Sequence, residues 1–181
     1  VGIEAGFRHI DTAQAYFNEA GVGRAIHASD VPREELFVTS KLRGRDMGHD
    51  QALKSFDETL ARMKLDYLDL FLIHWPMPRH DRYVETWKAF IELQKSGRVR
   101  SIGVSNFTPA HVDRLFRETG VTPAVNQLEV HPYFQQRGVR GHHRDAGIVI
   151  QSYSPLGGGG SGILRNDVMR DIAAKHARSP A

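Results

Sequence analysis

Four side chains in the first half of the sequence, Asp11, Tyr16, Lys41 and His74, could cooperate on a carbonyl. A phenol is a poor acid or base near neutrality, because it ionises only around pH ~10. An adjacent ammonium favours the phenolate. A lysine at a strand end is costly to bury unless it is paired, and an Asp11–Lys41 ion pair meets that demand while aiming the amine. His74 can donate a hydrogen bond to a substrate oxygen and hold it beside Tyr16. This grouping suits an oxygen that gains negative charge in the transition state, as happens when hydride reaches a carbonyl carbon. No side chain delivers hydride, so the chemistry requires a cofactor. Asn106 and Gln127 offer amides to fix the carboxamide of a nicotinamide, and Tyr153 offers a flat ring for it to stack on. Plainer readings stand beside these. Asp11 could pair with Arg8, Asp11–Lys41 could be only structural, and His74 could be a satisfied core histidine. Glu19 is expected to tie its loop to backbone donors.

Elements that alternate along the whole chain must position these residues. Strand patterns fall at 7–10, 36–39, 68–73, 99–104, 125–128 and 148–153. The run 68–73 is nearly continuous in apolar residues, with Asp69 inside it, as expected of a strand covered on both faces. Helical patterns fall at 19–29, 50–63, 83–96, 109–119, 139–145 and 166–177. Leu53, Phe56, Leu60 and Met63 recur at spacings of three and four in the second of these. Val1 opens inside what reads as the end of a helix, which Gly6 closes. Six βα units with short loops suit a parallel sheet, open or closed into a barrel. No G-x-G-x-x-G turn follows the first strand, which weakens the open dinucleotide-binding sheet. The run 157–160 is four glycines and reads as a mobile loop or as a flap over a ligand. Asp11, Lys41, His74, Asn106 and Gln127 all sit at C-terminal strand ends, and in a parallel barrel these open on one face.

Composition removes several other classes. There are 0 cysteines, so disulfides within the chain, thiolate nucleophiles and cysteine-ligated metals are excluded. Lys plus Arg number 24 against 21 Asp plus Glu, a formal charge of +3, and the basic residues are dispersed rather than striped. Arg98 and Arg100 are the nearest thing to a basic cluster, and no nucleic-acid partner is expected. No apolar run approaches the ~18 residues needed to span a bilayer, and no membrane association is expected. The 10 histidines allow a metal-dependent hydrolase as a rival reading. His142 and His143 are adjacent on a helix, where their side chains should diverge, and no third ligand matches them. No metal site is expected.

These residues also carry a family likeness. The stretch Gly6-Phe7-Arg8-His9-Ile10-Asp11-Thr12-Ala13, followed by Tyr16, Asn18, Glu19, Val22 and Gly23, resembles the first motif of the aldo-keto reductases. The likeness is particularly to the bacterial branch similar to 2,5-diketo-D-gluconate reductases. Ser40-Lys41-Leu42, Leu72-Ile73-His74-Trp75-Pro76, Gly103-Val104-Ser105-Asn106-Phe107, the run from Asn126 to Tyr133 and Ser152-Tyr153-Ser154-Pro155-Leu156-Gly157 resemble the motifs that follow. The likeness implies a (β/α)8 TIM barrel, here a single domain over 1–181 that forms a partial barrel lacking the first and last strands. It implies Asp11, Tyr16, Lys41 and His74 as the catalytic tetrad, with Tyr16 as general acid. It implies that Ser105, Asn106 and Gln127 hold the nicotinamide amide, that Tyr153 stacks under the ring, and that Ser154 and Leu156 lie along the pyrophosphate. The implied cofactor is NADPH, with NADH possible, and the implied substrate is a small aldehyde, ketone, keto-sugar or keto-acid. A cytoplasmic monomer is expected. An inert cofactor-binding regulatory protein of the same fold is the alternative.

Phe17, Arg43 and Trp75 are expected to shape the substrate pocket. Phe17 stands where many bacterial relatives have glycine, and Arg43 where many have tryptophan. Arg43 hints at an anionic substrate, although a solvated loop residue is as good a reading. The opening hairpin, the first and last barrel strands and the phosphate-clamping Lys and Arg are expected in a longer chain.

Overall fold

The computed structural model describes residues 2–158 and 160–181. Six strands follow one another: β1 (His9–Asp11), β2 (Phe37–Leu42), β3 (Leu68–Ile73), β4 (Val99–Ser105), β5 (Val125–Glu129) and β6 (Val149–Tyr153). They form one parallel sheet in the order β1-β2-β3-β4-β5-β6. A doubly wound sheet reverses its strand order at a switch point. This order never reverses, so every crossover turns the same way, as in a barrel. Curvature is visible across the interior. Gln127 on β5 donates from Nε2 to Asp11 Oδ2 on β1 at 2.8 Å, and Gln151 on β6 lies 3.5 Å from His9 on β1. The chain therefore forms part of a (β/α)8 barrel.

Helices α1 (Glu19–His27), α2 (His49–Met63), α3 (Tyr83–Lys95), α4 (Pro109–Thr119), α5 (Arg137–Asp145) and α6 (Asp167–Lys175) alternate with the strands. The core lies between the outer sheet face and the helices. Phe71 of β3 stacks on Phe90 of α3 at 4.7 Å and meets Phe56 of α2 edge-on at 5.0 Å. All three are fully buried. Gly23 marks the closest approach of α1 to α2, since a Cβ there would stand 2.2 Å from the Met63 carbonyl oxygen. The buried carboxylate of Asp69, the polar residue inside β3, is satisfied three ways. It pairs with Arg33 at 2.8 Å and Arg100 at 2.9 Å, and accepts from the Val38 N–H at 2.9 Å. Arg98 pairs with Asp57. Arg98, just before β4, and Arg100, within it, are thus committed to ion pairs within the fold.

Several expectations need correction. Residues 2–6 form a turn, not the end of a helix, and Gly6 takes φ 95°. The start proposed at Val1 lies outside the described residues, as does Gly159 within the glycine run. The first strand begins at His9, and Phe7 is exposed. Asp50 does not cap α2. Gly48 holds that place at φ 116°, and Asp50 sits in the first turn, where its charge favours the helix dipole. Helix α6 begins at Asp167, because Asn166 caps it by accepting from the Val168 N–H. Asp11 does not pair with Arg8, whose guanidinium donates to the carbonyls of Ile3 and Phe7. Glu19 binds side chains rather than backbone. It accepts from Ser40 Oγ at 2.6 Å and Arg62 Nε at 2.7 Å. The rings of His142 and His143 do not diverge: their Nδ1 atoms are 3.2 Å apart.

Candidate active site

The C-terminal strand ends bring Asp11, Lys41 and Gln127 into contact. Lys41, fully buried near the end of β2, donates from Nζ to Asp11 Oδ1 and to the Thr12 carbonyl at 3.0 Å. With one carboxylate and one carbonyl as partners, the charged amine is held in place rather than merely tolerated. Gln127 holds the other carboxylate oxygen of Asp11. The carboxylate thus joins β1 to β2 and, across the interior, to β5.

Tyr16 ends a short 3-10 turn, Gln14–Tyr16, that folds over this pair. Two anchors fix the turn. Thr12 Oγ1 donates to Asn18 Oδ1 at 2.5 Å. Gln14, also buried, donates to Ser55 Oγ and Thr59 Oγ1 on α2, both at 2.9 Å, and its Oε1 accepts from the Arg43 N–H. The Tyr16 ring centroid lies 5.1 Å from Lys41 Nζ, and the ring meets the His74 ring edge-on at 5.7 Å. Half of Tyr16 remains exposed, at 51%. His74 follows β3, where its N–H donates to the Leu42 carbonyl. Burial pushes the His74 imidazole below the usual histidine range. The Lys41 charge adds to this and Asp11 opposes it. His74 is therefore neutral at neutral pH, with one ring N–H to donate.

The residues expected to hold a nicotinamide form a neighbouring group. Ser105 Oγ donates to the Gln127 carbonyl at 2.9 Å, and the Asn106 N–H donates to the same carbonyl at 3.0 Å. Asn106 adopts φ 63°, a left-handed conformation that asparagine tolerates better than most residues. Its Nδ2 donates to the His74 carbonyl and to Ser105 Oγ, both at 3.1 Å, and its Oδ1 accepts from the Tyr153 hydroxyl at 3.0 Å. Burial raises the Tyr153 hydroxyl above the usual phenol range, with Glu129 and then Tyr16 adding to the effect. Among the described residues Gln127 Oε1 accepts no hydrogen bond, which leaves an amide oxygen for an amide N–H. Ser154, at φ 47°, and Leu156, half-exposed, continue from β6. This set of amides, hydroxyls and one partly exposed ring fits a nicotinamide carboxamide.

Around the tyrosine, Phe17 is 83% exposed at φ 54°, and Trp75 stands half-exposed beside His74. Arg43, partly exposed, pairs with a neighbouring carboxylate. Its Nε donates to Asp46 Oδ2 at 2.5 Å. Among the described residues no group of three or more His, Asp or Glu side chains could hold a metal ion, and no helix is long and apolar enough to cross a membrane. Sequence reasoning missed Gln14, Thr12 and Asn18 as the anchors of the Tyr16 turn. The signal was present in Gln14, a polar residue in the apolar stretch between Ala13 and Ala15.

Comparison with known proteins gives the same outline. The description "Aldo/keto reductase family" matches residues 2–180. The chain belongs to the aldo/keto reductase family. It is 49% identical over 179 residues to methylglyoxal reductase DkgA of Escherichia coli (strain K12), covering 99% of this chain and 64% of that one. Among solved structures, a mutant of Gox0644 in complex with NADPH superposes with a TM-score of 0.92 at 45% identity, covering 99% of this chain and 64% of that one. A putative 2,5-diketo-D-gluconic acid reductase B superposes with a TM-score of 0.91 at 36% identity, over 99% and 63%. The chain thus spans about 64% of the length of the curated relatives it matches.

Proposed function

We propose that the protein reduces the carbonyl of a small aldehyde, ketone, keto-sugar or keto-acid, with Tyr16 as the proton donor. NADPH is the expected cofactor and NADH the other nicotinamide the site could take. When bound, either supplies the hydride. The observation that carries the reading is the grouping of Tyr16, the buried Lys41–Asp11 pair and His74 on one face. His74 donates to the substrate oxygen and fixes it beside the tyrosine hydroxyl. Tyr16 gives its proton to that oxygen as charge builds there. Lys41, held charged by Asp11, makes the resulting phenolate tolerable. Ser105, Asn106 and Gln127 would orient the nicotinamide amide, Tyr153 would lie against the ring, and Ser154 and Leu156 would follow the pyrophosphate. Phe17 and Trp75 would enclose the substrate and exclude water. Gox0644, 45% identical, has been solved with NADPH, and DkgA, 49% identical, is named a methylglyoxal reductase. Both support the assignment.

Loss of NADPH absorbance with a panel of aldehydes and keto-acids tests the proposal. Turnover with at least one class is expected. Tight cofactor binding without turnover across the panel would favour a regulatory protein instead. A single-domain monomer in the cytoplasm belongs to the same reading, and light scattering with cell fractionation tests it.

A further inference from the structure

Behind the cofactor face, a line of hydrogen bonds runs from the surface of α4 to the loop after β4. Asn126 Nδ2, fully buried on β5, donates to the Phe107 carbonyl at 2.9 Å and lies 2.7 Å from His143 Nε2. His143, fully buried on α5, faces His142 through the two Nδ1 atoms at 3.2 Å. His142 Nε2 lies 2.8 Å from Asp113 Oδ1 on α4.

Donor and acceptor rules allow one proton arrangement along this line. A carbonyl can only accept, so Asn126 must turn Nδ2 toward Phe107. The same NH2 group then offers its second hydrogen to His143 Nε2, which must be a lone pair. His143 therefore carries its proton on Nδ1 and donates to His142 Nδ1. His142 in turn carries its proton on Nε2 and donates to Asp113. Reversing Asn126 would set Oδ1 against the Phe107 carbonyl. A further proton on either histidine would set N–H against N–H. The groups facing His143 are His142 on its own helix, Asp113 from α4 and the uncharged Asn126 from β5. Burial and then His142 push His143 below the usual histidine range, against Asp113, in keeping with a neutral ring.

The inner end of this line meets the cofactor loop. Residues 105–107 are gripped from β5 on two sides. The Gln127 carbonyl holds Ser105 Oγ and the Asn106 N–H, while the Asn126 side chain holds the Phe107 carbonyl. Asn106 between them keeps its left-handed backbone.

We infer that His143, as the Nδ1–H tautomer, is a positioning residue for the nicotinamide-binding loop: it orients the Asn126 amide that fixes Phe107, and thereby the Asn106 amide. This rests on the proposal that Asn106 binds the cofactor amide. His143→Phe keeps a ring but removes the acceptor. It is expected to raise the dissociation constant for NADPH, read by fluorescence, by roughly five- to tenfold, the equivalent of one lost hydrogen bond. His143→Gln, whose amide oxygen can accept from Asn126, should recover most of the affinity. Nitrogen-15 NMR of His143 without cofactor should show the Nδ1–H tautomer at pH 7. Should His143→Phe fail to fold, His142→Leu removes the next acceptor at the surface, and is expected to release the tautomer and weaken NADPH roughly two- to fivefold. Unchanged NADPH affinity in a folded variant, or an Nε2–H or doubly protonated His143 at pH 7, overturns the inference. A parent protein that does not bind NADPH overturns the functional proposal and this inference together, whereas normal parent binding with an unaffected variant overturns only the latter.

Discussion

Replacing Lys41 with methionine isolates the electrostatic part of the mechanism. The substitution keeps the length of a wholly buried side chain and removes its charge. Lys41 Nζ lies 5.1 Å from the Tyr16 ring centroid. With the phenolate charge placed at the ring centre and an effective dielectric constant of ~20, the phenolate gains about 3 kcal/mol from the ammonium. Each ~1.4 kcal/mol is tenfold in rate, so full charge development predicts a fall in kcat of about 200-fold. A phenolate half formed in the transition state predicts about 15-fold on the same scale. The variant also leaves the Thr12 carbonyl without its side-chain donor and Asp11 with Gln127 alone. Circular dichroism and NADPH affinity must therefore show an intact fold and cofactor site. Single-turnover reduction with saturating NADPH is the assay. A folded, cofactor-binding Lys41→Met variant within about threefold of the parent rate would refute the electrostatic argument, since even the half-charge estimate exceeds that.

Other consequences are more local. Gly23→Ala should destabilise the protein by about 2 kcal/mol or more in urea unfolding, because the new Cβ meets the Met63 carbonyl. Asp69→Leu strands the Val38 N–H and two arginines, and should cost about 3 kcal/mol in the same measurement. His74, His111 and His143 are all held below their unfolded ionisation range. The unfolded chain therefore takes up protons first, and their contribution to stability is lost as pH falls below about 6.5. His49, raised by Asp50 and partly exposed, acts in the opposite sense. Urea midpoints should be lower at pH 5.5 than at pH 7.5, and a higher midpoint at pH 5.5 would contradict this.

Much of the architecture was legible because burial leaves a regular trace. The apolar run over 68–73 and the three-and-four spacing from Leu53 to Met63 became β3 and α2 with shifts of at most a residue or so. The boundaries of α4 follow from its caps: Thr108 and His111 form a capping box, and Gly120 closes the helix at φ 70°. The strand-end logic also served well. Asp11 and Lys41, thirty positions apart, are bonded as their chemistry required. Short turns were less readable, since a single 3-10 turn such as Gln14–Tyr16 leaves no period to detect. The pairing of Arg43 with Asp46 was not legible, because the two sit three residues apart in a turn that sequence periodicity does not reveal. The His142–His143 contact was hidden for a related reason. Neighbouring positions on a helix ordinarily point apart, and only Asp113 and Asn126 on flanking elements draw the two rings together.

Tyr16→Phe is the most direct test of the whole account. The phenylalanine ring can still pack against His74, and no cofactor contact is assigned to the hydroxyl. NADPH should therefore bind with unchanged affinity, while kcat for carbonyl reduction falls by roughly a hundredfold or more, as expected for loss of a general acid. A variant that binds NADPH normally and still turns over within a few-fold of the parent would contradict the claim that this hydroxyl supplies the proton.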